Sequence, residues 1–536
     1  MGARIVLLSG AIASGKSTLA NDLVRVEGGL LIKTRSLILD ARPKTSATRE
    51  ALQEAGESLD RVTKGSWIVD RLRRRHPEWF AGELPRLVVI DSVRIEAQVA
   101  AIRAAFGSKV IHIHLVASTS SLKRRFRRRK SGLHEGEAST YEDAKRDKTE
   151  SRIDDLAAKA DIVIDTDRNT PSDVLVRAAS RLGLLSKQPV PLVDVLVGGQ
   201  YGSEGKGNLV SYLAPEYDVL IRVGSVNAGH KVYLDPISTF RQLPSGTLHN
   251  LGALIVLGPG TQVRLDVLRK EVTECDVPVE RLKIDPNAMI IEDTDTVAEA
   301  ELKGRIGSTG QGVGRAASRR ILRGADVRLA KDVPELRPYI RPTLEVLEAG
   351  YQRGWRMLLE GTQGTSLSLY HGSYPHVTSR DTTVAGCISE AGVAPRMVRR
   401  VVMVCRTFPI RVMSPTSGDS GPMSQEIDWA TISRRSGIPT AELTNAERGS
   451  VSQNLRRVAE FDWEQLRRSA LLNGPTDIGL TFVDHLDIEN RKARRFEQLT
   501  ESTLNFIEEV ERVSGAPVSL ISTRFHWRSI IDRRSW

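Results

Sequence analysis

The chain has 536 residues, 40 % hydrophobic and 27 % charged, which excludes a disordered, collagen-like or low-complexity protein. Its length exceeds what one hydrophobic core serves, so two or more domains are expected. The net charge is +11, but aromatics make up only 5 %, and the basic runs at Arg71–Arg75, Lys123–Lys130 and Arg491–Arg495 hold a single one, Phe126. That pattern suits solvated helix faces and phosphate-gripping arginines better than a nucleic-acid reader.

Short Val/Ile-rich runs alternate with longer charged helical segments, the rhythm of parallel sheets covered by helices. An α/β chain follows: a P-loop NTPase doubly wound sheet and then a larger α/β domain. Strand candidates Arg4–Leu8, Leu87–Ile90, Val110–Leu115 and Ile162–Ile164 form the first domain, residues 1–185. Residues 186–191, with Pro189 and Pro191, break helix and strand alike and read as a linker. A strand at Val193–Val197 opens the second domain, residues 192–536. Cys275, Cys387 and Cys405 have no paired spacing and suit a reducing cytoplasm, with neither a disulfide frame nor a zinc site. No apolar run is long enough to span a membrane.

Gly10 to Ser17 fits G-x-x-x-x-G-K-[ST], placed after a strand and before a helical pattern. Gly10 and Gly15 let backbone N–H groups approach phosphates, Lys16 reaches the β/γ-phosphates, and Ser17 and Thr18 open the helix, with Ser17 as a Mg²⁺ ligand. Asp91, after its strand, stands where a second Mg²⁺-holding carboxylate belongs, and Arg94 follows as a phosphate contact. The region resembles the nucleoside monophosphate kinases at superfamily level. The run Lys123–Lys130 would then belong to a lid over the transferring phosphoryl group.

A second glycine-rich loop after a strand, Gly198 to Gly207, again reads as a phosphate cradle, with Gly202, Glu204, Gly205, Lys206 and Gly207 as its nucleotide-binding residues. It is followed by Asn227-Ala228-Gly229-His230, Leu243-Pro244-Ser245-Gly246, Gly307-Ser308-Thr309-Gly310, Glu360-Gly361-Thr362-Gln363-Gly364 and Tyr374-Pro375-His376-Val377-Thr378. In that order the motifs resemble adenylosuccinate synthetase. The resemblance implies a largely parallel sheet, a homodimer and two-step chemistry. A nucleoside triphosphate (ATP, GTP or dATP) with Mg²⁺ phosphorylates the 6-oxygen of a purine monophosphate, and L-aspartate then displaces that phosphate. It assigns catalysis to His230, Lys206, Ser203 and Gln363. Nucleotide contacts go to Asn227, Thr309, Thr378, Asp484 and, across a dimer, Arg319. Mg²⁺ contact goes to the Gly229 carbonyl, and aspartate binding to Ser450, Ser452 and Arg456.

Departures from the family pattern redirect the expectation. Ser203 replaces the usual aspartate, which takes the proton from ring nitrogen 1, and a serine is a poor base near neutral pH. The Gly-Ser-Glu-Gly-Lys-Gly form is similar to the phage-type 2-aminoadenylosuccinate synthetases, which implies dGMP as substrate and a role in diaminopurine DNA. Asn454 replaces one arginine of the aspartate loop, and Phe482 and Arg524-Phe525 alter the base-reading segments. A conventional synthetase acting on IMP and a nucleotide-sensing protein are the alternatives.

Overall fold

The computed structural model describes residues 3–129, 140–142, 153–184, 190–234, 236–300, 306, 308–412, 420–447 and 455–536. It divides into two compact units, Met1–Gln188 and Pro189–Trp536. Among the described residues no helix is long and apolar enough to cross a membrane.

The first unit is a parallel sheet of β1 (Arg4–Gly10), β2 (Leu30–Lys33), β3 (Leu87–Asp91), β4 (Val110–Val116) and β5 (Ile162–Asp165), in the order β2-β3-β1-β4-β5. Side chains alternate across a strand, so Ile5 and Leu7 join Val88 and Ile90 in one core while Val6 and Leu8 join Leu87 and Val89 in another. A sheet apolar on both faces must carry helices on both, which explains the continuous Val/Ile/Leu runs. β2 was not among the strand candidates. It is a four-residue edge strand with only Ile32 buried, too short and too exposed to stand out.

The second unit is built on nine strands: β6 (Val193–Gly198), β7 (Val219–Arg222), β10 (Leu254–Leu257), β12 (Leu282–Ile284), β14 (Met357–Glu360), β15 (Val398–Arg406), β19 (Asp477–Thr481), β20 (Val518–Ser522) and β21 (Ile530–Asp532). Their order is β12-β10-β7-β14-β6-β15-β19-β20-β21, parallel until the final antiparallel pair. Three small sheets flank it: β8 (His230–Val232) with β9 (Ser238–Phe240), β11 (Gln262–Val263) with β13 (Met289–Ile290), and β16 (Ile410–Val412) with β17 (Glu426–Ile427) and β18 (Arg456–Ala459). The register of the central strands matters for chemistry. Glu360 pairs with Leu196 of β6 on one side and with Arg222 of β7 on the other, so the carboxyl ends of three strands meet beside the Gly198 loop. Such ends are where parallel sheets place their ligands.

Candidate functional site

The glycine-rich loop of the second unit leads into the helix Lys206–Leu213 through Gly202 and Gly205, both at positive φ. Glycine is needed at 202 for contact as well as conformation, because a Cβ there would lie 2.8 Å from Gln363 Cα. At Gly207 a Cβ would lie 2.8 Å from Lys231 O and 3.3 Å from His230 Cβ. The helix start is thus pressed directly against the strand carrying His230. Gly207→Ala should force these apart, lowering turnover at this site about tenfold or more while the far-ultraviolet spectrum stays native; full activity would contradict the close approach.

His230 is 6 % exposed and its Nδ1 is hydrogen-bonded to the carboxylate of Glu360. Glu360 also accepts from Arg222 Nη1 at 2.9 Å, Ser245 N at 2.7 Å and Ser245 Oγ at 2.5 Å. Burial, then the neighbouring Arg222, pushes the His230 imidazole down from 6.5 to about 4, and Lys206 adds to the depression. Burial alone would raise Glu360, but Arg222 and then His230 outweigh it and hold the carboxyl at about 2. With Nδ1 committed to Glu360, the other ring nitrogen, Nε2, faces the cavity and has no partner.

These shifts carry a pH signature. Below its ordinary 6.5 the unfolded chain takes up the His230 proton before the folded one does, so stability falls from about pH 6.5 toward 4. Glu360 adds a second loss as pH falls through its ordinary 4.5 toward about 2. The urea midpoint of the second unit should therefore drop on acidification from pH 7 to 5, and drop less in His230→Asn; equal slopes would refute the coupling.

A cavity of about 240 Å³ opens over this network, lined by Gly202, Ser203, Asn227, Gly229, His230, Thr309, Gln363, Thr378 and Arg456 among others. Gln363 Nε2 donates to Thr378 Oγ1 at 2.7 Å and Asn227 Nδ2 to the same oxygen at 3.4 Å. Buried in this wall without a hydrogen-bond partner are Asn227 Oδ1, His230 Nε2, Gln363 Oε1, His376 Nδ1, Ser379 Oγ and Arg456 Nε. A buried polar atom left unpaired costs about 1–3 kcal/mol, so this concentration marks a site shaped for a polar ligand.

Several residues named from sequence sit elsewhere. Lys206 is 2 % exposed and donates to Glu204 Oε2 at 2.7 Å and Gly202 O at 3.1 Å, beneath the loop. Glu204 is fully buried and also accepts from Gln200 N and Gly202 N, so it braces the loop from inside rather than facing a nucleotide. Arg319 is held by both carboxylate oxygens of Asp295 at 2.8 and 2.7 Å and by Asp326 O, which commits it within its own chain. Asp484 does not line the cavity. Its Oδ2 accepts from Arg491 at 2.9 Å, its Oδ1 is buried and unpartnered, and the neighbouring Phe482 ring packs 3.2 Å from where a Gly205 Cβ would stand. Ser450, Ser452 and Asn454 lie outside the described residues. The roles of Glu360, Arg222 and Ser245 escaped the sequence reading, although Glu360 and Ser245 sit in quoted motifs. Their pairing across 115 to 138 positions leaves no local signal.

In the first unit the loop Gly10–Gly15 folds as a phosphate cradle, with Gly15 at φ 99 immediately before the helix Lys16–Glu27. Lys16 Nζ donates to Gly10 O at 2.7 Å and Ala11 O at 2.8 Å. Ser17 Oγ donates to Asp91 Oδ2 at 2.8 Å. A hydroxyl and a carboxylate in direct contact at the mouth of such a loop fit the donor set of Mg²⁺. Thr18 and Arg94 line the same cavity, of about 910 Å³. The lid expectation reaches only Lys123–Arg129, in the helix Thr119–Arg129; Lys130 lies outside the described residues.

Comparison with known proteins agrees with the second unit's geometry. The adenylosuccinate synthetase family profile matches residues 195–331 and 325–491, more than half of the chain. The adenylosuccinate synthetase of Pyrococcus sp. (strain ST700) is 37 % identical over 349 residues, 63 % of this chain and 98 % of the relative. That of Methanocaldococcus jannaschii is 37 % identical over 351 residues, 64 % of this chain and 96 % of the relative. Among solved structures, the cyanophage S-2L succinoaminodeoxyadenylate synthetase (PurZ), bound to dGMP and to dATP as an energy donor, is 26 % identical with a TM-score of 0.55, covering 65 % of this chain and 96 % of that one. The fully ligated Plasmodium falciparum adenylosuccinate synthetase shares the fold at 19 % identity and a TM-score of 0.57, covering 64 % of this chain and 100 % of that one. With the phosphate loop, the buried His–Glu pair and the polar cavity at the ends of one parallel sheet, and with near-full-length relatives on the same segment, this chain belongs to the adenylosuccinate synthetase family.

Proposed function

We propose that the ligase unit condenses L-aspartate with dGMP, and that the first unit is a nucleotide kinase joined to it. The observation that carries the dGMP reading is Ser203. It lines the same cavity as His230 and Gln363, and its hydroxyl stands where the family pattern has a carboxylate. A hydroxyl is smaller and neutral. It leaves room and hydrogen-bonding capacity for a purine with an amino group beside ring nitrogen 1. Likeness to a PurZ bound to dGMP supports the same substrate.

In this reading His230, oriented by Glu360, offers Nε2 to the 6-oxygen, and an anionic phosphoryl group alongside favours the protonated, donating imidazole. Arg222 keeps Glu360 ionised, so the imidazole is held in one orientation throughout. Asn227, Thr378 and Gln363 position the base and its phosphate, with Thr309 lining the same cavity. Lys206 turns outward to the γ-phosphate, or supports the loop from beneath. Arg456 takes an aspartate carboxylate, and Ser450 and Ser452, shortly before it in the sequence, serve the same substrate. Mg²⁺ would be held by the Gly229 carbonyl and by the substrate phosphates, where it supplies charge neutralisation for phosphoryl transfer. The donor is ATP, GTP or dATP, and the active species is a homodimer.

The identity with archaeal adenylosuccinate synthetases favours a second reading, in which IMP is the substrate. One assay decides. The full chain with L-aspartate, Mg²⁺ and ATP, dATP or GTP is offered dGMP, GMP, IMP or dIMP, and succinyl adducts are resolved by mass. An adduct on dGMP alone is the expected result, an adduct on IMP alone establishes the second reading, and binding without turnover refutes both.

A further inference from the structure

The cavity of the first unit, about 910 Å³, is large enough for two ligands side by side. The phosphate loop accounts for one end. At the other, helix Arg49–Thr63 and helix Trp67–Arg75 bring together groups that no phosphate donor requires. Asp60 Oδ1 accepts from the Trp67 indole at 2.6 Å and from Gln98 Nε2 at 3.0 Å, Oδ2 accepts from Gln98 at 3.0 Å, and the Arg94 guanidinium adds its charge nearby. A carboxylate oxygen has two lone pairs, so Oδ2 keeps one acceptor position. Gln98 is spent on both sides, its Oε1 accepting from Arg94 N at 2.9 Å. Gln53 Nε2, on the same cavity wall, is a buried donor with no partner. The aliphatic side chains of Ile38 and Leu52 and the Trp67 ring supply flat apolar surface around this donor–acceptor pair. Arg94 and the exposed Arg35 line the same cavity and supply cations for an acceptor's phosphate.

We infer that this end is the phosphoryl-acceptor site and that it takes the 5′-monophosphate of a 2-aminopurine nucleoside. The exocyclic amine donates to Asp60 Oδ2, Gln53 Nε2 donates to the ring nitrogen or oxygen beside it, and Arg35 and Arg94 hold the phosphate. A pyrimidine lacks the second ring needed to fill the slot, and adenine lacks the 2-amino donor. The acceptor's phosphate oxygen attacks the γ-phosphorus of the nucleoside triphosphate, the bond to the β-phosphate oxygen breaks, and two diphosphates result. The proposal rests on the kinase reading of the first unit and names its substrate.

The test uses the full chain with Mg²⁺ and ATP, without aspartate. It is offered dGMP, 2-amino-dAMP, dAMP, dCMP or dTMP, with products identified chromatographically against authentic diphosphates. At least about tenfold faster diphosphate formation from dGMP, from 2-amino-dAMP, or from both is expected, and the two arms distinguish which purine is served. Preference for dAMP, dCMP or dTMP overturns the acceptor assignment and leaves the kinase reading standing. No diphosphate from any monophosphate overturns the kinase reading, and this proposal with it. Gln53→Leu and Asp60→Asn should each lower kcat/KM for the 2-aminopurine about tenfold and leave the best pyrimidine unchanged. Parallel loss for both classes, or no loss, refutes the roles of these side chains, and an unchanged thermal unfolding transition of the first unit reports that each variant is folded.

Discussion

His230→Asn should reduce ligase kcat by about a hundredfold to ten-thousandfold while leaving nucleotide monophosphate affinity within a few fold. Asparagine fills similar space but has no titratable nitrogen to aim at the cavity. The buried Glu360 would also lose one of its partners, keeping Arg222 Nη1, Ser245 N and Ser245 Oγ. Glu360→Gln separates the two effects. It preserves shape, but it removes the charge that favours protonation of the imidazole, so the His230 imidazole should be harder to protonate still. The kcat profile of Glu360→Gln should shift its alkaline limb downward in pH, because activity that needs the protonated imidazole is lost as pH rises through its pKa. That expectation follows from the sign of the coupling, since Glu360 opposes the depression of His230 caused by burial and Arg222. Pre-steady-state measurement of phosphate release locates the loss at the first or second step. An undiminished kcat in His230→Asn would remove the imidazole from the reaction.

Ser203→Asp should move base preference toward IMP by about tenfold to a hundredfold in the ratio of kcat/KM values. The substitution restores a carboxylate at the wall shared with His230 and Gln363, where it can accept the ring nitrogen proton of a 6-oxopurine. It also introduces bulk where a 2-amino group would sit. Neighbouring Arg406, whose Nη1 donates to Ser203 O at 3.2 Å, gives the new carboxylate a cation at close range and keeps it ionised. The loop itself should hold its shape, because Gly202, Glu204 and Gly205 set its conformation and position 203 is only partly buried. An unchanged ranking of dGMP, GMP, IMP and dIMP would show that this position does not select the base.

Much of the architecture was legible in the amino-acid order. Alternation of apolar runs with charged helices predicted parallel α/β units because a sheet covered on both faces needs apolar residues on both. Gly15 and Gly205 marked their loops because each takes a left-handed backbone before a helix. Ser17 and Asp91 were each read as Mg²⁺ contacts from a motif and a place after a strand, and their side chains meet at 2.8 Å. All of this is local information, or follows from one strand's relation to the next loop.

What the amino-acid order left open is the long-range pairing of charges. That Glu360 serves His230 depends on β14 lying between β6 and β7, a strand order that no neighbouring residue encodes. The same is true of Arg319, read as a phosphate contact from its place in a motif but captured by Asp295 once the helix Val313–Ile321 is packed. Glu204 and Lys206 look like nucleotide ligands in a linear motif, yet burial turns them toward each other beneath the loop. Motifs state which groups are present near a phosphate. Only packing, by burying some charges against opposite ones and leaving other polar atoms unpaired at a cavity wall, decides which of them face a substrate.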